Sequence, residues 1–325
     1  MRDPFGRDID YLRISVTDRC NLRCIYCIPE GMEWIEKADI LSYEEIERLV
    51  RILGRLGLRR LRLTGGEPTV RRQLPRLVEM LVAIEGIEEI SLSTNGLKLT
   101  ELAAPLRRAG LSRVNVSLDS LDEGCFREIT RGGDLRKVLA GIEAAEKEGL
   151  LPIKINVVVM RGKNDGEITD FALLTQQRPW NVRFIEMMPL EGNVGEQEAR
   201  YVSTDEVRRS LEALGGLEPA EAVRGNGPAT YFRYPGAPGT VGFISPLNHN
   251  FCDRCNRLRL TANGRLRLCL FGDNEIDLAT PLRAGRGEEE IAEKVLDGLM
   301  AKPQRHYLEL GSTASRLIAL SQVGG

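Results

Sequence analysis

Six of the seven cysteines fall into two triplets. Cys20, Cys24 and Cys27 follow a Cys-x3-Cys-x2-Cys spacing, and Cys252, Cys255 and Cys269 follow Cys-x2-Cys-x13-Cys. Three thiolates in one short loop of a 325-residue chain point to metal binding rather than to a disulfide framework. Structural zinc sites take four protein ligands, and a [4Fe–4S] cluster is ordinarily held by four cysteines. Three cysteines alone leave one iron with an open position, where a cofactor or substrate can bind. The second triplet admits two chemistries. His249, three residues before Cys252, completes a zinc set on paper, and the three cysteines by themselves suit a second cluster. Cys125 stands alone and reads as an inert buried thiol. Only two histidines exist, His249 and His306, which removes His-rich metal sites and most Ser-His-Asp or Cys-His catalysis.

The elements that must position these cysteines show in the hydrophobic pattern. Strands are expected over 11–16, 58–63, 89–93, 113–117, 153–160 and 182–186. Amphipathic helices are expected from a Ser42/Glu45 capping box to Gly57, then over 74–83, 98–109, 134–148 and 167–177. Six strands alternating with helices argue for a parallel sheet curled into an incomplete (β/α)6 TIM-like barrel. Polar residues gather at the strand ends: Cys20 to Cys27, Thr64 to Glu67, Ser93 to Asn95, Ser117 with Asp119, and Glu186 to Met188. After Pro189 the rhythm stops. Residues 191–199 read as a polar connection and 204–214 as a helix, so the expected division is 1–190 for the partial barrel and 191–325 for a C-terminal extension carrying the second triplet.

Composition excludes several classes. Hydrophobic residues at 42% and charged residues at 28% are ordinary for a globular chain and leave no room for wholesale disorder. The formal net charge of −2 supplies no global field for nucleic acid or membrane. No stretch approaches the ~18 uncharged apolar residues of a transmembrane helix. The start, MRDPFGRDIDYLR, lacks the apolar core of a signal peptide, so a cytoplasmic location is expected. No G-x4-G-K-[ST] run supports a P-loop.

CNLRCIYC after a strand, with the Gly65-Gly66-Glu67-Pro68 loop downstream, resembles the radical S-adenosylmethionine superfamily. The resemblance implies that Cys20, Cys24 and Cys27 hold a [4Fe–4S] cluster whose open iron chelates S-adenosylmethionine. It also implies that the cofactor is cleaved to a 5′-deoxyadenosyl radical. Over nearly the whole chain the similarity narrows to the GTP 3′,8-cyclase family of molybdenum cofactor biosynthesis. It is carried by LRISVTDRCNLRCIYC, RLTGGEP, NVSLDS, FIEMMP, SPLNHNFCDRCNRLRLTANGRLRLCLFGD and the closing Gly324-Gly325. By that resemblance Cys252, Cys255 and Cys269 hold a second [4Fe–4S] cluster that meets the guanine of GTP. Arg13, Arg62, Ser93, Lys154, Arg257, Leu258 and Arg259 match GTP contacts, and Tyr26, Gly66, Ser117 and Met188 match S-adenosylmethionine contacts. Ser93 stands where relatives more often have Thr, and the hydroxyl survives.

The implied reaction removes hydrogen from ribose C3′ and joins C3′ to guanine C8. No residue is singled out as the final proton or electron donor. Implied partners are GTP, an electron donor, the next enzyme of the pathway and a second copy of the chain in a dimer, with neither nucleic acid nor membrane. Two alternatives stand beside this reading. One is a radical peptide-modifying enzyme with an auxiliary cluster, although such enzymes commonly carry more C-terminal cysteines. The other is a non-catalytic metal-stabilised RNA-binding module using the basic run from Arg254 to Arg267.

Overall fold

Polar and apolar residues alternate along strands such as Tyr11–Ser15 and Arg60–Thr64, and the two faces have different work to do. The computed structural model describes residues 1–29, 31–188, 194–225, 227–307 and 320–323. In β1 (Tyr11–Ser15), Leu12 and Ile14 enter the core while Tyr11 and Arg13 turn to the other face. The chain continues through α1 (Tyr43–Arg55), β2 (Arg60–Thr64), α2 (Leu74–Val82), β3 (Glu89–Thr94), α3 (Leu99–Arg108), β4 (Arg113–Ser117), α4 (Glu123–Thr130), α5 (Leu135–Lys147), β5 (Lys154–Val158), α6 (Ile168–Gln177) and β6 (Asn181–Ile185). The expected capping box opens α1. Glu45 N donates to Ser42 Oγ at 3.1 Å, and Ser42 N donates to Glu45 Oε2 at 2.7 Å. Such a cap is worth ~1 kcal/mol. Ile46, Leu49, Val50 and Leu53 form the buried stripe of that helix. Helix α4 was not expected; Asp122 caps it by accepting from Cys125 N at 2.7 Å.

The later part comprises α7 (Val194–Ala199), α8 (Thr204–Glu212), β7 (Glu218–Pro219), β8 (Thr230–Arg233), β9 (Thr240–Ile244), β10 (Arg257–Leu260), β11 (Arg265–Arg267), β12 (Glu275–Asp277), α9 (Ala279–Arg283), α10 (Glu288–Leu299) and α11 (Leu320–Val323). Two expectations are corrected here. Residues 194–199, read as connection, are helical. Among the described residues the parallel sheet has eight strands rather than six, because β10 pairs beside β1 and β9 beside β6. The sheet runs β12-β11-β10-β1-β2-β3-β4-β5-β6-β9-β8-β7. From β10 through β9 all neighbours are parallel, and the outer hairpins are antiparallel. Strands from both sides of residue 190 therefore share one sheet.

A parallel sheet must be covered on both faces. One face packs Leu12, Leu61, Ile90, Val114, Ile155, Val182 and Val241 into a continuous core with the helices. The other face is curved enough that residues of β10 and the end of β9 line a single cavity. No helix among the described residues is long and apolar enough to cross a membrane.

Candidate active site

Residues in register on neighbouring parallel strands point to the same face. Register places Arg259 beside Arg13, Arg13 beside Arg62, Arg62 beside Ser91, and Ser91 beside Arg113. Another pairing sets Arg257 beside Tyr11, and another sets Asn156 beside Arg183. Arg13, Arg62, Arg183, Arg257 and Arg259 line the cavity, whose volume is about 310 Å³. Glu89 is the acid in this layer, and it is engaged by Arg113 at 2.6 Å and Arg224 at 3.5 Å.

The crowding shows in the protonation energetics. Burial, with other cations nearby, pulls Arg62 down to about 9 and Arg259 down to about 10, and drives Arg13 well below its ordinary value. Burial alone would raise the Tyr11 phenol, yet Arg62, Arg13, Arg113 and Arg257 hold it below its ordinary value. A buried set of like charges needs an anion. Guanidinium forks suit phosphate oxygens in particular.

The first triplet lies in the loop after β1, over the same cavity. Its neighbour, the glycine loop after β2, is laced to it by backbone bonds from Gly66 N to Thr17 O (2.7 Å) and from Glu67 N to Arg19 O (2.8 Å). The approach is close enough to require glycine. A Cβ on Gly66 would stand 2.4 Å from both Asp18 O and Arg19 O, and one on Gly65 would stand 2.4 Å from Thr17 O. Glu67 is buried and saturated. It accepts from Thr69 N, Thr69 Oγ1, Thr94 Oγ1 and Asn95 N at 3.1, 2.5, 2.7 and 2.7 Å, tying the ends of β2 and β3 together. Tyr26 donates to Asp119 Oδ2 at 2.7 Å, and Val158 N donates to Asp119 Oδ1 at 2.9 Å.

The donor chemistry fits a cluster. Leu22 N donates to Cys20 Sγ at 3.3 Å. Burial, then Cys20 and Asp119, push Cys27 up to about 12; burial, Cys27, Asp119 and Cys20 push Cys24 well above its ordinary value. Three thiolates so placed need a cationic core to compensate them. Among the described residues no three His, Cys, Asp or Glu side chains converge as a single ion requires. Three thiols lining one cavity are the donor type a [4Fe–4S] cluster takes.

Cys252, Cys255 and Cys269 line the same cavity, with Phe251, Phe271 and His306 beside them. The His306 ring meets Phe271 edge-on at 4.8 Å. His249 is not with them: it is exposed, and its Nε2 lies 3.0 Å from Asp205 Oδ2. The zinc set suggested by its spacing is therefore not assembled.

Of the other expected residues, Tyr26, Gly66, Ser93, Ser117 and Met188 line the cavity with the arginines. Two do not. Leu258 alternates to the opposite face and is 1% exposed in the core, between two inward arginines. Lys154 lies behind the lining, its Nζ donating to Arg224 O at 2.6 Å and to Val223 O at 3.4 Å. Cys125, expected buried, is half-buried, with Sγ 3.5 Å from Lys163 O. Sequence reasoning passed over Tyr11, Asn156 and Arg183, which line the cavity, and gave Asp119 no role beyond its strand end. A polar or charged residue inside an apolar strand was the available signal for Arg183 and Asn156. Helix α11 lies near the first triplet, with Gln322 Nε2 donating to Glu33 O at 3.2 Å. Gly324 and Gly325 lie outside the described residues.

Comparison with known proteins agrees with this geometry. A profile of the Radical SAM superfamily matches residues 14–175, and one named Molybdenum Cofactor Synthesis C matches residues 180–308. GTP 3′,8-cyclase of Moorella thermoacetica is 49% identical over 326 residues, covering 100% of both chains. That of Pelotomaculum thermopropionicum is 49% identical over 327 residues, again covering 100% of both. The fold is also similar to Streptococcus suis SuiB bound to S-adenosylmethionine. The TM-score is 0.64 at 14% identity, covering 92% of this chain and 73% of that one, which shows a shared fold. By full-length similarity the chain belongs to the GTP 3′,8-cyclase family of radical SAM enzymes.

Proposed function

We propose that this protein converts GTP to (8S)-3′,8-cyclo-7,8-dihydroguanosine 5′-triphosphate, the first step of molybdenum cofactor biosynthesis. One observation carries the proposal: two cysteine triplets and a row of buried and half-buried arginines line a single cavity. In this reading the inner face of the curved sheet is that of a partial barrel. Residues 1–190 supply the radical half, and 191–325 supply the second triplet and part of the GTP site.

Cys20, Cys24 and Cys27 would hold a [4Fe–4S] cluster, as the superfamily implies, with Tyr26, Gly66, Ser117 and Met188 against S-adenosylmethionine. Cys252, Cys255 and Cys269 would hold a second [4Fe–4S] cluster at the guanine end. Together the first cluster and S-adenosylmethionine supply, when bound, a carbon-centred radical able to take hydrogen from C3′ of the ribose. The protein's own residues bind and orient. Arg13, Arg62, Arg257 and Arg259, with Ser93 beside them, neutralise and grip the triphosphate, while Lys154 supports the lining from behind. They thereby hold ribose toward the first triplet and base toward the second. Leu22, Val158, Ile185, Ile244 and Leu268 in the lining keep water from the reacting carbons.

The reading also needs a one-electron donor, an enzyme that takes the product onward, and the reducing cytoplasm that suits seven free thiols. A dimer belongs to it as well.

Arg257→Ala and Arg259→Ala test the site. Each should weaken GTP binding roughly ten- to hundred-fold, the cost of a charged hydrogen bond, with iron content unchanged. Unchanged affinity in both would remove the nucleotide from this cavity.

A further inference from the structure

Lys302 is 3% exposed and belongs to no strand or helix. Its Nζ donates to the carbonyl of Arg257 at 3.0 Å and, through a very short bond, to that of Leu268. Arg257 lies two residues after Cys255, and Leu268 immediately precedes Cys269. The ammonium thus clamps together the two arms that carry those cysteines. The third arm is tied to the same stretch of chain. Arg7 Nη1 donates to Cys252 O and to Gln304 O, both at 2.7 Å, and Arg7 Nη2 donates to Pro303 O at 2.7 Å. Residues 302–304 are therefore the anchor of the whole second triplet.

A buried ammonium is a costly clamp when two carbonyls are all it satisfies, because an apolar side chain fills space with less desolvation. The anions facing it explain the choice. They are Asp3, whose carboxylate is already engaged by Arg7 Nε at 2.6 Å, and, once they ligate metal, the sulfurs of Cys255 and Cys269.

We propose that Lys302 is a positioning residue that sets the reduction potential of the cluster held by Cys252, Cys255 and Cys269. It locks two ligand arms and places a fixed positive charge beside their sulfurs. The inference rests on the two-cluster reading. Adding one electron to the cluster makes it more negative, so a neighbouring cation stabilises the reduced form and raises the potential.

The test uses the full chain carrying Cys20→Ala, Cys24→Ala and Cys27→Ala, so that iron binds only at the second triplet. It reads iron content and the midpoint of a dithionite-poised EPR titration. Lys302→Gln keeps an amide donor without the charge and should retain iron with a lower midpoint. Lys302→Arg should return the midpoint toward that of the parent. An unshifted midpoint in Lys302→Gln would overturn the proposal, as would equal loss of iron from both variants. A parent background that binds no iron would instead overturn the second cluster itself, and this inference with it.

Discussion

Charge is the organising fact among the residues of the cavity. Arg13, Arg62, Arg183, Arg257 and Arg259 face inward on buried or half-buried strand positions, so their arrangement makes sense with a polyanion between them. Lys154 reports the same field from behind the lining. Burial, then Arg183, Arg113 and Arg62, lower its ammonium to about 6. The folded-state value lies below the unfolded one, so the unfolded chain binds more protons between about 6 and the ordinary lysine value of about 10.4. The stabilising contribution is therefore present above the unfolded value and is lost as pH falls through about 6. Lys154→Met should flatten the rise of stability with pH across that window, as read by urea denaturation at a series of pH values. Parallel curves for the two proteins would contradict the assignment.

At the scale of elements, the contact between two loops decides whether the first triplet can form. The glycine loop after β2 lies against the carbonyls of Thr17, Asp18 and Arg19, and the clash at Gly66 is with backbone rather than with a movable side chain. Gly66→Ala should destabilise the protein by about 1–3 kcal/mol and abolish S-adenosylmethionine cleavage. Iron at the second triplet and GTP affinity should persist. Wild-type production of 5′-deoxyadenosine by that variant would contradict this role. Much of this level could be read beforehand. The capping box at Ser42, the six β/α units and the polar strand ends all follow from local pattern. Leu258 and Lys154 stay out of the cavity lining for different reasons. Matching a motif residue by residue ignores the alternation that turns Leu258 away from its neighbours Arg257 and Arg259. No local pattern shows that the carbonyls of Val223 and Arg224, some seventy residues on, cap Lys154. Arg183 was visible in principle as a charge inside an apolar strand. Lys302 was not, since its partners are main-chain carbonyls brought to it by the fold.

For the molecule as a whole, the parallel sheet is completed at both edges by strands from the later part of the chain. β10 pairs with β1, and β9 pairs with β6, so the later half of the sequence covers both edges of the earlier half. A fragment of residues 1–190 would leave two long edges unpaired and should aggregate or lack cooperative unfolding. A monomeric fragment with a sharp thermal transition would contradict this dependence. The same completion brings the second triplet to the first triplet's cavity, and the proposed reaction requires that meeting. The most direct test is an anaerobic assay of the reconstituted protein with dithionite and S-adenosylmethionine, comparing GTP, ATP and no nucleotide. The account predicts 5′-deoxyadenosine together with a cyclised GTP when GTP is present, and neither above background otherwise. Equal cleavage of S-adenosylmethionine whatever nucleotide is added, with no new nucleotide product, would contradict it.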